Sequence, residues 1–109
     1  MSAEQSKKVI RLQTPTMQKP ISIRCEPGME EMTLAEIVDS IASQYDANSQ
    51  AVEAQAIRGL VSRAVMHNGN QQQMTTKVKD LTFTMRSTKA GDALVADLQF
   101  AEPYTGGNL

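Results

Sequence analysis

Two side chains in this 109-residue chain are suited to nucleophilic or acid–base work near neutral pH: the single cysteine, Cys25, and the single histidine, His67. A nucleophile needs a base within hydrogen-bond reach and a third group to orient that base. Nothing in the spacing links Cys25 to His67. His67 stands just before Asn68-Gly69, and an imidazole at a helix C-terminus is a favourable partner for the helix dipole. Cys25 reads as a small, half-buried strand residue. There is no phosphate-binding glycine loop, no GxGxxG, no HExxH and no CxxC. The carboxylates are scattered rather than set at metal-ligand spacing. The residue types therefore point away from an enzyme, a metal centre and a bound cofactor.

The chemistry that remains belongs to the charges. The formal net charge is -1, but the signs are segregated along the chain. Residues 1–25 carry Lys7, Lys8, Arg11, Lys19 and Arg24 against Glu4. Residues 26–56 carry Glu26, Glu30, Glu31, Glu36, Asp39, Asp46 and Glu53 with no base. Residues 57–90 carry Arg58, Arg63, Lys77, Lys79, Arg86 and Lys89 against Asp80. Asp92, Asp97 and Glu102 close the chain. Such blocks make either a dipolar surface with one basic side or ordinary solvated faces that mix in three dimensions.

The length suits one domain over residues 1–109. At 40% hydrophobic, with no Trp, two Phe and two Tyr, the core must be aliphatic and thin. Small domains bury a smaller share of their surface, so a second copy would relieve this one. One cysteine cannot form an internal disulfide, which fits a reducing cytoplasm. No apolar run approaches a membrane span, and MSAEQSKK lacks the apolar core of a secretory signal.

Positioning elements follow from periodicity. Residues 1–8 read as a frayed polar leader. Val9–Leu12 and Ile21–Cys25 are short alternating runs separated by the proline-bearing TPTMQKP. Thr33-Leu34-Ala35-Glu36 fits a capping box, with Leu34, Ile37, Val38, Ile41 and Tyr45 at helical spacing behind it. Asn48 or Ser49 is the expected cap of a second helix running from about Gln50 to His67, stopped by Asn68-Gly69-Asn70. Residues 71–74 read as loop or a frayed turn. Leu81, Phe83 and Met85 alternate, as do Leu94, Ala96, Leu98 and Phe100, predicting a β-hairpin over roughly Lys77 to Ala101. Residues 102–109 read as an irregular tail. The expected class is α+β: a two-helix hairpin followed by a β-hairpin, with short N-terminal strands.

Within Thr33–Gly69, the residues Thr33, Glu36, Ile37, Val38, Asp39, Ile41 and Ala42 are followed by Asn48-Ser49, Glu53, Leu60, Val61, Val65 and Gly69. This run resembles the helical half of the HU/IHF family of bacterial DNA-bending proteins. The segment before it looks like the extended leader of divergent HU-like members. The resemblance implies an HU-like body, an intertwined homodimer and a β-ribbon facing duplex DNA. It places Lys77, Lys79, Arg86 and Lys89 on the ribbon as phosphate contacts, with Arg58 and Arg63 on the body. The strands depart from the family pattern. Asp80-Leu81-Thr82-Phe83-Thr84 stands where a Gly-Phe-Gly-type element is usual, and the tip Ser87–Asp92 has no proline.

Two functions from different classes follow. One is a weak, sequence-tolerant DNA-binding module, nucleoid-associated and homodimeric. The other is a protein-interaction or structural accessory module, as in a phage or mobile element, that works through the acidic 26–56 face and binds no DNA. A winged helix is a third, but its second helix would offer only Arg58 and Arg63 to base edges.

Overall fold

Alternation builds the first two strands. In β1 (Lys7–Gln13), Ile10 and Leu12 are fully buried among exposed or half-buried neighbours. In β2 (Ile21–Arg24), Ile21 and Ile23 are half-buried while Ser22 and Arg24 are exposed. The computed structural model describes residues 7–89 and 91–101. Lys7 and Lys8, expected in a frayed leader, belong to β1; the rest of the leader and the tail 102–109 lie outside the described residues.

The capping box forms as the sequence predicts. The Glu36 amide donates to Thr33 Oγ1 at 3.2 Å and the Thr33 amide to Glu36 Oε1 at 2.8 Å. Two further donors of the first turn find loop carbonyls: Leu34 N donates to Thr76 O at 2.9 Å and Ala35 N to Met74 O at 3.1 Å. The free amides of that turn are thereby satisfied, which is what a helix end set against the body of a protein requires. The helix that follows, α1 (Leu34–Ala47), buries Leu34, Ile37, Val38, Ile41 and Ala42.

The second helix is shorter than its periodicity implies. Helix α2 spans Ala51–Arg58, and a single 3₁₀ turn, Gly59–Ser62, continues it. Its N-cap position is held by Gln50 without a side-chain bond, not by Asn48 or Ser49; Ser49 instead adopts a left-handed φ of 62° and reverses the chain. Ile57 and Leu60 are buried, but Val61, which a longer helix would bury on the same side, is 42% exposed. Val65 and His67 are then buried on either side of exposed Met66, a period of two. They form β3 (Val65–His67), and β4 (Asn70–Gln72), expected as loop, folds back on it. Asn68-Gly69 is the turn, with φ of 54° and 81°. Positive φ at both central residues is what a tight two-residue hairpin demands, and Asn-Gly supplies it. The helix stop expected at this dipeptide is a hairpin tip, and His67 lies in a strand.

The last hairpin also starts later than expected. Lys77 caps a 3₁₀ turn, Val78–Asp80. Strand β5 is Thr84–Thr88 and β6 is Gly91–Phe100, so Leu81 and Phe83 precede the pairing.

The molecule is α+β, with two α-helices and a six-stranded mixed sheet among the described residues. The strand order is β2-β1-β6-β3-β4, and β5 pairs with the first half of β6 on the side where β3 meets its end. The topology departs from the HU-like expectation: β1 and β2 precede the helices, and β1 is an inner strand, parallel to β6 over seven residues. Ile10, Leu12, Ala96, Leu98 and Phe100 meet Leu34, Ile37, Val38, Ile41, Ile57 and Leu60 in one core. Arg58 clasps the helix pair from outside, at 2.7 Å from Asp46 and 3.6 Å from Asp39.

Candidate nucleic-acid interface on the open sheet face

Paired strand residues share a face, and successive residues alternate between faces. Because Ile10, Leu12, Ala96, Leu98 and Phe100 point into the core, the odd-numbered residues of β1 and β6 point the other way; none of them belongs to the core. Register then fixes the rest of that face. Arg11 is opposite Asp97 on one side and Ser22 on the other; Val9 is opposite Val95 and Arg24. Arg86 is opposite Ala93, and Met66 opposite Gln99. Among the described residues, Lys7, Arg11, Arg24 and Arg86 therefore share one face with a single carboxylate, Asp97.

Asp97 sits between two of these arginines. Arg11 Nε donates to its Oδ1 at 2.7 Å, and Arg86 Nη2 lies 3.0 Å from its Oδ2. Arg86 starts opposite Ala93, so its side chain must run past Val95 to reach Asp97. Val95, between Ala93 and Asp97 on this face, is only 4% exposed, and an arginine stem on that path can cover apolar surface while its head stays in water. Arg24 and Lys7 are exposed at the same face.

Of the six cations expected to contact DNA, only Arg86 is on this face. Lys77 caps the 3₁₀ turn and Lys79 lies within it, neither on a ribbon strand, and both clasp Glu31 at 3.0 Å. Hydrogen bonds from these two lysines hold the Glu31 carboxyl below its ordinary range, and Glu31 in turn raises Lys79. Arg58 is held by Asp46 and Asp39, and its hydrogen bond to Asp46 pushes its pKa up. Arg63 donates to the Ala101 carbonyl at 3.4 Å. Lys89 is exposed at the tip of the β5–β6 hairpin. Arg11 and Arg24, which the sequence showed only as part of a basic segment, belong to the face instead. Their signal was available: the alternation that turns Ile10, Leu12, Ile21 and Ile23 inward turns both arginines outward.

The two reactive residue types are placed apart. His67 is 5% exposed and fully bonded. Its Nε2 accepts from the Thr82 amide at 2.9 Å, so the ring hydrogen sits on Nδ1 and is donated to the Asp97 carbonyl, also at 2.9 Å. Histidine thus clamps the loop before β5 to β6. Cys25 lines an open groove of about 780 Å³ with Lys8, Phe83 and Leu94. Burial pushes its thiol pKa up. Lys8 Nζ lies 5.3 Å from the Phe83 ring centroid.

The chain matches no protein-family model, no curated protein and no solved structure. What it can do must be read from its own surface. A sheet face with four cations, three of them arginines with planar donor forks, suits a polyanion better than a small molecule. No helix among the described residues is long and apolar enough to cross a membrane.

Proposed function

We propose that this chain is a non-enzymatic, HU-like cytoplasmic module that binds duplex DNA weakly, with little sequence preference, as a homodimer. The observation that carries the reading is the gathering of Lys7, Arg11, Arg24 and Arg86 on one uncovered sheet face. The helix pair at 33–58, the first member closed by its capping box, supports the HU-like body. Phosphate contacts from such a face position a protein without reading bases, so discrimination between sequences is small. Weakness follows from the other cations: Arg58, Lys77 and Lys79 already have carboxylate partners. The hairpin tip has no proline to wedge between base pairs, so sharp kinking is not part of the reading. Val52 and Met85, 80% and 50% exposed, are apolar surface that a second copy would cover.

Duplex binding measured from about 50 mM to about 200 mM salt tests this, because each neutralised phosphate contributes about -0.9 to the slope of log K against log salt. Binding at the low end, lost steeply with salt, is expected. Arg24→Glu with Arg86→Glu should abolish it. Lys77→Glu with Lys79→Glu should weaken it far less. Sedimentation should give about twice the 11.9 kDa chain mass. If no duplex is bound at the low end, the protein-interaction reading through the acidic 26–56 face takes over. Arg58, Lys77 and Lys79 pair with three acids of that segment, Asp39, Asp46 and Glu31. The charges that such a partner would meet are then the exposed Glu26, Glu30, Glu36 and Glu53.

A further inference from the structure

We infer that Arg11 and Arg86 form the central phosphate site of the open sheet face and that Asp97 occupies it in the free protein, so that DNA binding exchanges a carboxylate for a phosphate. This rests on the nucleic-acid reading above. Three observations carry it. First, among the described residues Asp97 is the one acid on a face otherwise supplied with cations, and it stands at the middle strand, opposite Arg11 in register. Second, it takes one nitrogen of each guanidinium, Nε of Arg11 and Nη2 of Arg86. Each guanidinium has five donors, and a phosphate oxygen pair suits the same fork geometry that the carboxylate uses. Third, the Asp97 side chain is 28% exposed, so water can solvate it once its partners leave; displacement does not strand a charge in the interior.

The carboxylate draws together two arginines that start on opposite sides of β6. It thereby keeps them together while setting a threshold for binding. A phosphate must replace two existing ion pairs before either arginine favours it. Both pairs are half-buried at Asp97 yet still reached by water, so the threshold is one that a polyanion engaging several cations at once can pass and a single free phosphate does not.

The test compares the wild-type protein with Asp97→Asn, which keeps the shape and removes the charge. Duplex affinity at low salt should become about three- to tenfold tighter, as expected when two water-accessible ion pairs no longer compete. The salt slope should steepen by about 0.9 for each additional phosphate neutralised. Adding Arg11→Gln and Arg86→Gln to Asp97→Asn should erase the improvement. If wild type binds duplex and Asp97→Asn binds no tighter, the exchange is wrong while the DNA reading stands. If neither binds, both fall together. A second measurement needs no variant: titrating the wild-type protein with a short duplex should shift the Arg11 Nε–H resonance as its bond to Asp97 breaks. A resonance that stays fixed while the duplex binds overturns the proposal. Inorganic phosphate alone, at the same phosphate concentration, should leave that resonance in place.

Discussion

His67 is worth more to this protein as a clamp than as a reagent. Both ring nitrogens are used, one accepting from Thr82 N and one donating to Asp97 O. Replacing it with alanine leaves a cavity and two orphaned backbone groups. A loss of about 2–4 kcal/mol is expected in denaturant unfolding, combining unsatisfied polar groups with lost packing. Phenylalanine fills the space but satisfies neither group, so His67→Phe should recover only part of the loss. The sequence singled out this histidine but assigned its partners wrongly. Its neighbours in the chain suggested a helix end; its actual partners are 15 and 30 residues away. Cys25 is a milder case: it is half-buried as expected, but it lies just past the end of β2 rather than in the strand.

At the scale of elements, short-range chemistry was readable where it was self-contained. The Thr33–Glu36 box is four residues that satisfy one another, and it forms as written. The alternation of Ile21 and Ile23 likewise needs only its own pattern. The stretch from Gly59 to Gln72 was not readable in this way, because its apolar residues after Leu60, Val61 and Val65, fit the continuing helix as well as a strand. Asn68-Gly69 decided between them, and the same dipeptide serves as a helix stop or a hairpin tip depending on what flanks it. Gly69 at φ 81° gives this a direct check. Open space surrounds the position of a Cβ there, so Gly69→Ala meets no clash and only the backbone penalty remains. A destabilisation of about 1–2 kcal/mol is expected from forcing an L-residue into that region, read as a shift in the denaturation midpoint. Were residues 65–72 helical, the same substitution would stabilise the protein instead.

For the whole molecule, the class was legible and the sheet was not. Periodicity identifies strands one at a time, yet which strand lies beside which depends on pairings between distant segments. The parallel pairing of β1 with β6 left no local trace, and with it went the candidate site. The six cations chosen from the sequence lie between residues 58 and 89, whereas the face that gathers positive charge joins β1 and β2 to β5 across β6. The charge blocks mix in space to a large extent: Glu31 meets Lys77 and Lys79, and Arg58 meets Asp46. Alternation within β1 nevertheless carried the signal that sets Arg11 on the face opposite Ile10 and Leu12.

The placement of β6 has a consequence for how the chain reaches this structure. Residues 91–100 supply the spine on which β1, β3 and β5 all pair, yet they emerge last among the described strands. Until then Ile10 and Leu12 have only the short β2 beside them, and the helix pair has no sheet to close its apolar side. The pairings of β6 with β1 and β3 therefore close long loops late, which slows folding and leaves apolar surface open during synthesis. A chain stopped after Thr88 should keep some helical signal but show no cooperative thermal transition. The 109-residue chain should show one. A nascent chain of this protein would accordingly depend on holding chaperones until its final strand has left the ribosome.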